Sequence, residues 1–433
     1  MGTRTAVDYA NTESITRVPD PVARHVRTRV LDTLAATTAG YRFDGGRVAR
    51  TVSAAVGAGD AATILDGSGD RLSLEGATLA NATAANVLDV DDGHRAVKGH
   101  PAATVVPPAL AAAEAEGATV GAFLDAVLVG YELGVRAGIA MHETSDFYSG
   151  SGSWGALGAA VAVARLRGLD DASFANALST AAYHAPRTPI MRGVERPGMT
   201  KDGIGWGAMV GAASVRMAAH GFTGSGTVFD DGGWLDSLGE EYFVASGSLK
   251  PYPCCRWAQP GVDAARTLVR EHGLAAADVE AIAVYTFEEA MHLETRRPNS
   301  VEAAEYSYPY PVAATVVRGQ FTPAALRPAV RTAPTVLDLA DRVTMLEDDE
   351  LNARFPEECL ARVSLATSEG TFSSQVTRPR GARDRPLTTA EWRKKAESLL
   401  GPTVDEEAAA PVEATLHRLD RPIGELLDPW RPA

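Results

Sequence analysis

Cysteine is scarce: Cys254, Cys255 and Cys359 are the only three in 433 residues, two of them adjacent and none at zinc-type spacing. That supports neither a disulfide framework nor a structural metal site, and it predicts a reducing, cytoplasmic setting. Positive charge is in deficit too. Lys and Arg total 41 against 55 Asp and Glu, a formal net charge of −14. A nucleic-acid partner is therefore not expected, since a phosphate footprint needs a clustered basic face. An anionic small substrate stays open, because a few lysines in a pocket reverse the field locally. The N-terminal MGTRTAVDYANTESITRVPD has neither the apolar core nor the cleavage pattern of a signal peptide. Long apolar runs are missing as well. The most membrane-like stretch, residues 120–141, is interrupted by Asp125, Glu132 and Arg136, while Leu124, Val127, Leu128, Tyr131 and Val135 recur at helical spacing. This predicts an amphipathic or nearly buried helix and no membrane association.

Alanine and glycine are plentiful. Residues 20–260 read as helix after helix, as in ARHVRTRVLDTLAATTAG and LGAAVAVARLRGLDDASFANALSTAAYHA, with Gly and Gly-Leu-Asp at several C-termini. No fixed period recurs, which excludes a solenoid array. The texture changes near residue 247. VEAIAVYTF (279–287), CLARVSLAT (359–367) and TFSSQVTRP (371–379) are β-branched with partial alternation, and SEG at 368–370 reads as a hairpin turn. Helix-like PVAATVVRGQF and TVLDLADRV lie between them. The expected fold is mainly α: a large all-helical domain begun by residues 1–249, a smaller α+β domain over 250–383, and a helical return over 384–433. The return opens with a capping-box pattern from Thr388 to Glu391.

Residues 89–108, DVDDGHRAVKGHPAATVVPP, concentrate charge between two apolar helical segments. Asp89, Asp91, Asp92, His94 and His100 are ligand types found in zinc and iron sites. HExxH, Glu-x-x-His and calcium-loop spacings are all absent, however, which argues against a metal. The plainer alternative is an interhelix loop whose aspartate caps the next helix. Lys201 sits in a glycine-rich break, RPGMTKDGIGWGAM, where an ordinary surface lysine is the competing reading. SLKPYPCCRWAQPGVDAA places Lys250, Cys255 and Arg256 before a helix, without a Cys–His pattern to activate a thiol. EYSYPYPVAATVV supplies three tyrosines, each by itself better read as core packing.

Taken in order, DVDDGH, GHPAATVVPPALA, GYELGVRAG, SGSWGALGAAVAVARLRGLD, MTK, KPYPCCRWAQPGVDA and YSYPYPVAA resemble the MmgE/PrpD family over about residues 20–400. That family includes 2-methylcitrate dehydratase, cis-aconitate decarboxylase and iminodisuccinate epimerase. The resemblance implies a helical domain with an α+β lid, a homodimer, a site in the cleft between them, and no metal or other cofactor. Its motifs fall on Asp89, Asp91 and Asp92, on His100, on the pocket lysines Lys201 and Lys250, and on the lid tyrosine Tyr310. Two positions depart from it: Ser149 stands where many relatives carry histidine, and Cys255 where decarboxylase-type members do. His142 is the nearest histidine to Ser149, and His94 is a further candidate.

The resemblance implies a cofactor-independent hydro-lyase acting on a hydroxy-carboxylate. His100 would transfer a proton, assisted by Asp89, Asp91, Asp92, Lys201 and Tyr310. Lys250, Arg256, Ser149, Cys255, His94 and His142 would contact substrate. Decarboxylation of a cis-aconitate-like acid and epimerisation beside a carboxylate compete within the class. A catalytically inactive binding or assembly protein is the alternative from another class.

Overall fold

Small residues decide how the helices meet. The computed structural model describes residues 2–431, and its helical body is built around Ser151–Leu166, where every residue from 151 to 164 is buried. Helices Pro101–Ala115, Val120–Thr144, Asp171–His184 and Ile204–Ala219 pack around it. A Cβ on Gly158 would come within 2.6 Å of the Gly130 carbonyl oxygen, and one on Gly130 within 2.8 Å of that of Gly158. Two backbones in contact leave no room for a side chain, which is why glycine occupies both positions.

The helix predicted over 120–141 spans Val120–Thr144. The charges that interrupt its apolar run are put to structural use. Glu132 and Arg136 are buried and paired at 2.7 Å. Glu132 also accepts from the Phe243 and Val244 amides, while Arg136 donates to the Glu241 carbonyl. A buried ion pair persists when further hydrogen bonds satisfy it, as here.

Beyond residue 250 the mixed texture becomes a four-stranded sheet in the order Val343–Glu347, Val279–Thr286, Arg362–Thr367, Gly370–Ser373. The last two strands form an antiparallel hairpin closed between Thr367 and Gly370. Val343–Glu347 pairs in parallel with Val279–Thr286, although the sequence shows only helix-like TVLDLADRV there; that helix ends at Asp341. Helices Gln259–His272 and Pro309–Arg318 pack against each other and against this sheet.

Helix Thr389–Leu400 then opens with the Thr388–Glu391 capping box and returns to pack on helix Asp20–Gly40. Lys395 ties the two together through Asp32, 2.5 Å away, and also donates to the Val90 carbonyl. The Trp430 indole donates to Thr38. Among the described residues no helix is long and apolar enough to cross a membrane.

Candidate active site

The loop after helix Leu74–Asn86 turns sharply because Asp89 adopts φ 48°, in the left-handed region. Asp92 and Gly93 then pair antiparallel with Ser248 and Leu249. This two-residue ribbon delivers the next residue, Lys250, to Asp89, with its ammonium 2.7 Å from Oδ1 and 3.1 Å from the carbonyl oxygen. Reciprocal backbone bonds between His94 and Gly99 close the following loop and bring His100 back over Asp92. There His100 Nδ1 lies 2.7 Å from the Asp92 carbonyl oxygen. A carbonyl only accepts, so Nδ1 carries a proton and Nε2 is the working nitrogen.

Around that ring the carboxylates converge. Asp91 is 3.2 Å from Nδ1, while Asp89 and Asp202 are 3.6 and 3.8 Å from Nε2. Ser151 links the His100 backbone to Asp202, accepting from the His100 amide and donating to the carboxylate at 2.7 Å. Lys201, itself at φ 39°, reaches Glu305 at 2.8 Å and Asp89 at 3.9 Å. Strained backbone at both Asp89 and Lys201 persists because the surrounding contacts over-determine it. Asp89, Asp91, His100, Asp202, Lys250 and Glu305 are buried, and the Lys201 side chain is only 6% exposed.

Burial disfavours charge on His100, but Asp91 outweighs it and holds the imidazolium up to about 9. Asp91 is correspondingly held down to about 2, with His100 overcoming its burial. Burial likewise opposes charge on Asp89, and Lys250 and Lys201 overcome it. Lys201 and Lys250 are buried yet held above the usual lysine range, by Glu305 and by Asp89 respectively. Glu305 is pushed well up by burial, against the pull of Lys201. Near neutral pH the site therefore presents two ammonium groups and an imidazolium, with carboxylates interleaved.

The remaining candidates are placed around this centre or away from it. Asp92 faces inward: it accepts from the Ala102 amide at the start of the next helix and from the Tyr131 hydroxyl, and Arg29 lies 3.8 Å away. Burial pushes Asp92 up to about 6. His94 bonds to the Phe243 carbonyl and Ser246, and burial lowers it to about 4. His142 bonds to the Ser149 backbone and meets Tyr148 edge-on. Arg256 donates to the Arg380 carbonyl. Burial, reinforced by Asp89, drives the Cys255 thiol up to about 12, far from a thiolate nucleophile. Tyr310 commits its hydroxyl to the Ala325 carbonyl and sets its ring against Phe321. The tyrosine beside the lysines is Tyr306, whose ring centre is 5.8 Å from the Lys201 ammonium.

Sequence reasoning passed over Asp202, Ser151, Glu305 and Tyr306. Asp202 directly follows Lys201, and Glu305 is the one acid in EYSYPYP, so adjacency to a chosen motif was the available signal.

Asp89, Asp91 and His100 also bring one ligand atom each within 4.8 Å of one another, close enough to share a metal ion. The charges around them do not suit a dication. Two ammonium groups already approach the same Asp89 oxygen, and His100 favours its protonated form, which cannot ligate.

Two family profiles match the chain: the MmgE/PrpD N-terminal domain over residues 4–242 and the MmgE/PrpD C-terminal domain over residues 252–420. The cis-aconitate decarboxylase-like protein oryM of Aspergillus oryzae (strain ATCC 42149 / RIB 40) is 25% identical over 388 residues, covering 80% of each chain. Such relatedness supports an enzyme of dehydratase or decarboxylase type. With both halves matched in order, the chain belongs to the MmgE/PrpD family.

Proposed function

We propose that the chain is a cofactor-independent hydro-lyase that removes water from a hydroxy-carboxylate, in the manner of 2-methylcitrate dehydratase but on an altered substrate. The observation that carries this reading is the burial of Lys201, Lys250 and His100 around one carboxylate, Asp89. Loss of water from such an acid needs a carboxylate anchor, stabilisation of enolate-like charge beside it, and a proton for the departing hydroxyl. The two ammonium groups supply the first two, and charge-assisted bonds gain strength where water is excluded. His100 supplies the third from Nε2, because Asp91 keeps it protonated near neutral pH. Asp89 and Asp202, which face the same nitrogen, are the bases nearest the reacting carbon in this scheme. Asp92 positions the ring through its carbonyl and does not touch substrate. Tyr306 takes the hydroxyl role that the sequence assigns to Tyr310.

The reading further holds that residues 250–383 act as a lid over the helical body, that the enzyme works as a cytoplasmic homodimer, and that no metal takes part. Decarboxylation is the second reading, favoured by the name of the Aspergillus relative. One incubation separates them. Purified protein given a panel of hydroxy-acids and unsaturated acids is followed by the ultraviolet absorbance of a conjugated alkene and by carbon dioxide release. Alkene without carbon dioxide supports dehydration; carbon dioxide without water loss replaces it with decarboxylation. No turnover on any acid, with ligand binding untouched by His100→Ala or Lys201→Ala, removes the enzyme reading.

A further inference from the structure

Glu305 ends the short helix Val301–Glu305 and is fully buried. Its carbonyl accepts from the Cys255 amide, which fixes the backbone beside the lysines. One carboxylate oxygen, Oε2, sits 2.8 Å from the Lys201 ammonium. The other, Oε1, is buried without a hydrogen-bond partner. Buried polar atoms are ordinarily satisfied, so Oε1 marks a place where a donor is wanted. The groups facing Glu305 are Lys201, Asp89, Glu302, Tyr306 and Cys254. Lys201 is the one cation among them.

The charge count is unfavourable to a polyanion. Three buried cations, Lys201, Lys250 and His100, already face four buried carboxylates: Asp89, Asp91, Asp202 and Glu305. A substrate carboxylate arriving at Lys201 meets Glu305 on the same ammonium, and like charges in a shared buried site repel strongly.

We propose that Glu305 is a specificity-determining residue: it occupies on Lys201 the position of a second substrate carboxylate, so the site selects hydroxy-acids with a single carboxylate over tricarboxylates. Oε1 then accepts from the substrate hydroxyl, while Lys250 and the free face of Lys201 hold the one carboxylate. The inference rests on the carboxylate-binding reading of this cluster and narrows its substrate class.

The probes are 3-hydroxybutyrate, malate and citrate, which carry one, two and three carboxylates and a hydroxyl β to a carboxylate. Calorimetric titration at about pH 8, where all three are fully ionised, is expected to give at least about tenfold tighter binding of 3-hydroxybutyrate than of citrate. Glu305→Gln keeps the shape and removes the charge, and is expected to move that ratio toward citrate by at least about tenfold. The wild-type ratio needs no variant, so the inference stays testable if Glu305→Gln fails to fold. The inference is overturned if citrate binds the wild type as tightly as 3-hydroxybutyrate, if the ratio survives Glu305→Gln, or if no acid binds at all. Selective binding without turnover leaves Glu305 in this role and removes the hydro-lyase reading. Turnover of a tricarboxylate as fast as of a monocarboxylate does the reverse.

Discussion

At the scale of single residues, His100 and Asp91 bind protons in opposite senses, and the signs give a test. His100 rises from 6.5 to about 9 on folding, so its stabilisation is complete below pH 6.5 and is lost as pH climbs through about 9. Asp91 falls from 3.8 to about 2, so its contribution is complete above 3.8 and is lost as pH drops through about 2. The stability difference between wild type and His100→Gln, from urea titrations, should therefore shrink by roughly 3 kcal/mol between pH 6.5 and pH 9.5. A pH-independent difference would mean that His100 is not paired as described. Asp92 supports the ring from behind. Asp92→Ala strands the Ala102 amide, the Tyr131 hydroxyl and the buried Arg29, and should cost about 3 kcal/mol in urea unfolding. Asp92→Asn, which can still accept, should cost about 1 kcal/mol. Equal losses would show that the hydrogen bonds at this position do not matter.

At the scale of elements, the helical body depends on backbone contact between Val120–Thr144 and Ser151–Leu166. Gly158→Val drives a branched side chain into the Gly130 carbonyl and should cost about 3 kcal/mol, read as a lower urea midpoint at unchanged slope. Little effect would mean that the helices can separate without penalty. The same elements mark what was legible beforehand. Helix Val120–Thr144, the Thr388–Glu391 cap and the 367–370 hairpin were readable because each rests on a local pattern of spacing or turn chemistry. Strand Val343–Glu347 was not. It is five residues long, follows a helix with one residue between, and takes its identity from a parallel partner 61 positions earlier, Ile282 opposite Val343. Charge placement was equally one-sided. DVDDGH and KPYPCC are conspicuous because charge interrupts apolar sequence, but pairing is a tertiary choice. Nothing local says that Lys201 will meet Glu305, or that Tyr306 will lie beside it while Tyr310 bonds to Ala325.

At the scale of the molecule, the cluster is assembled from four separated stretches: 89–100, 201–202, 250 and 305. The first two belong to the helical body, and the last two lie at or beyond the change of texture near 250. Their meeting makes a buried, charged centre whose ions pair with one another, and under the proposed reading a substrate entering it would exchange some of these pairs for its own. The Lys201–Glu305 contact bridges the two parts of the chain. Under the proposed reading the ammonium groups provide the positive charge that a dication would bring. The most direct test of this acid–base site is kcat/KM for the acid that turns over, measured with and without a strong chelator, in the wild type, His100→Gln and Lys201→Met. The account predicts no effect of the chelator and a fall of roughly a thousandfold in each folded variant. Wild-type turnover in either variant, or activity abolished by the chelator and restored by a divalent ion, would contradict it.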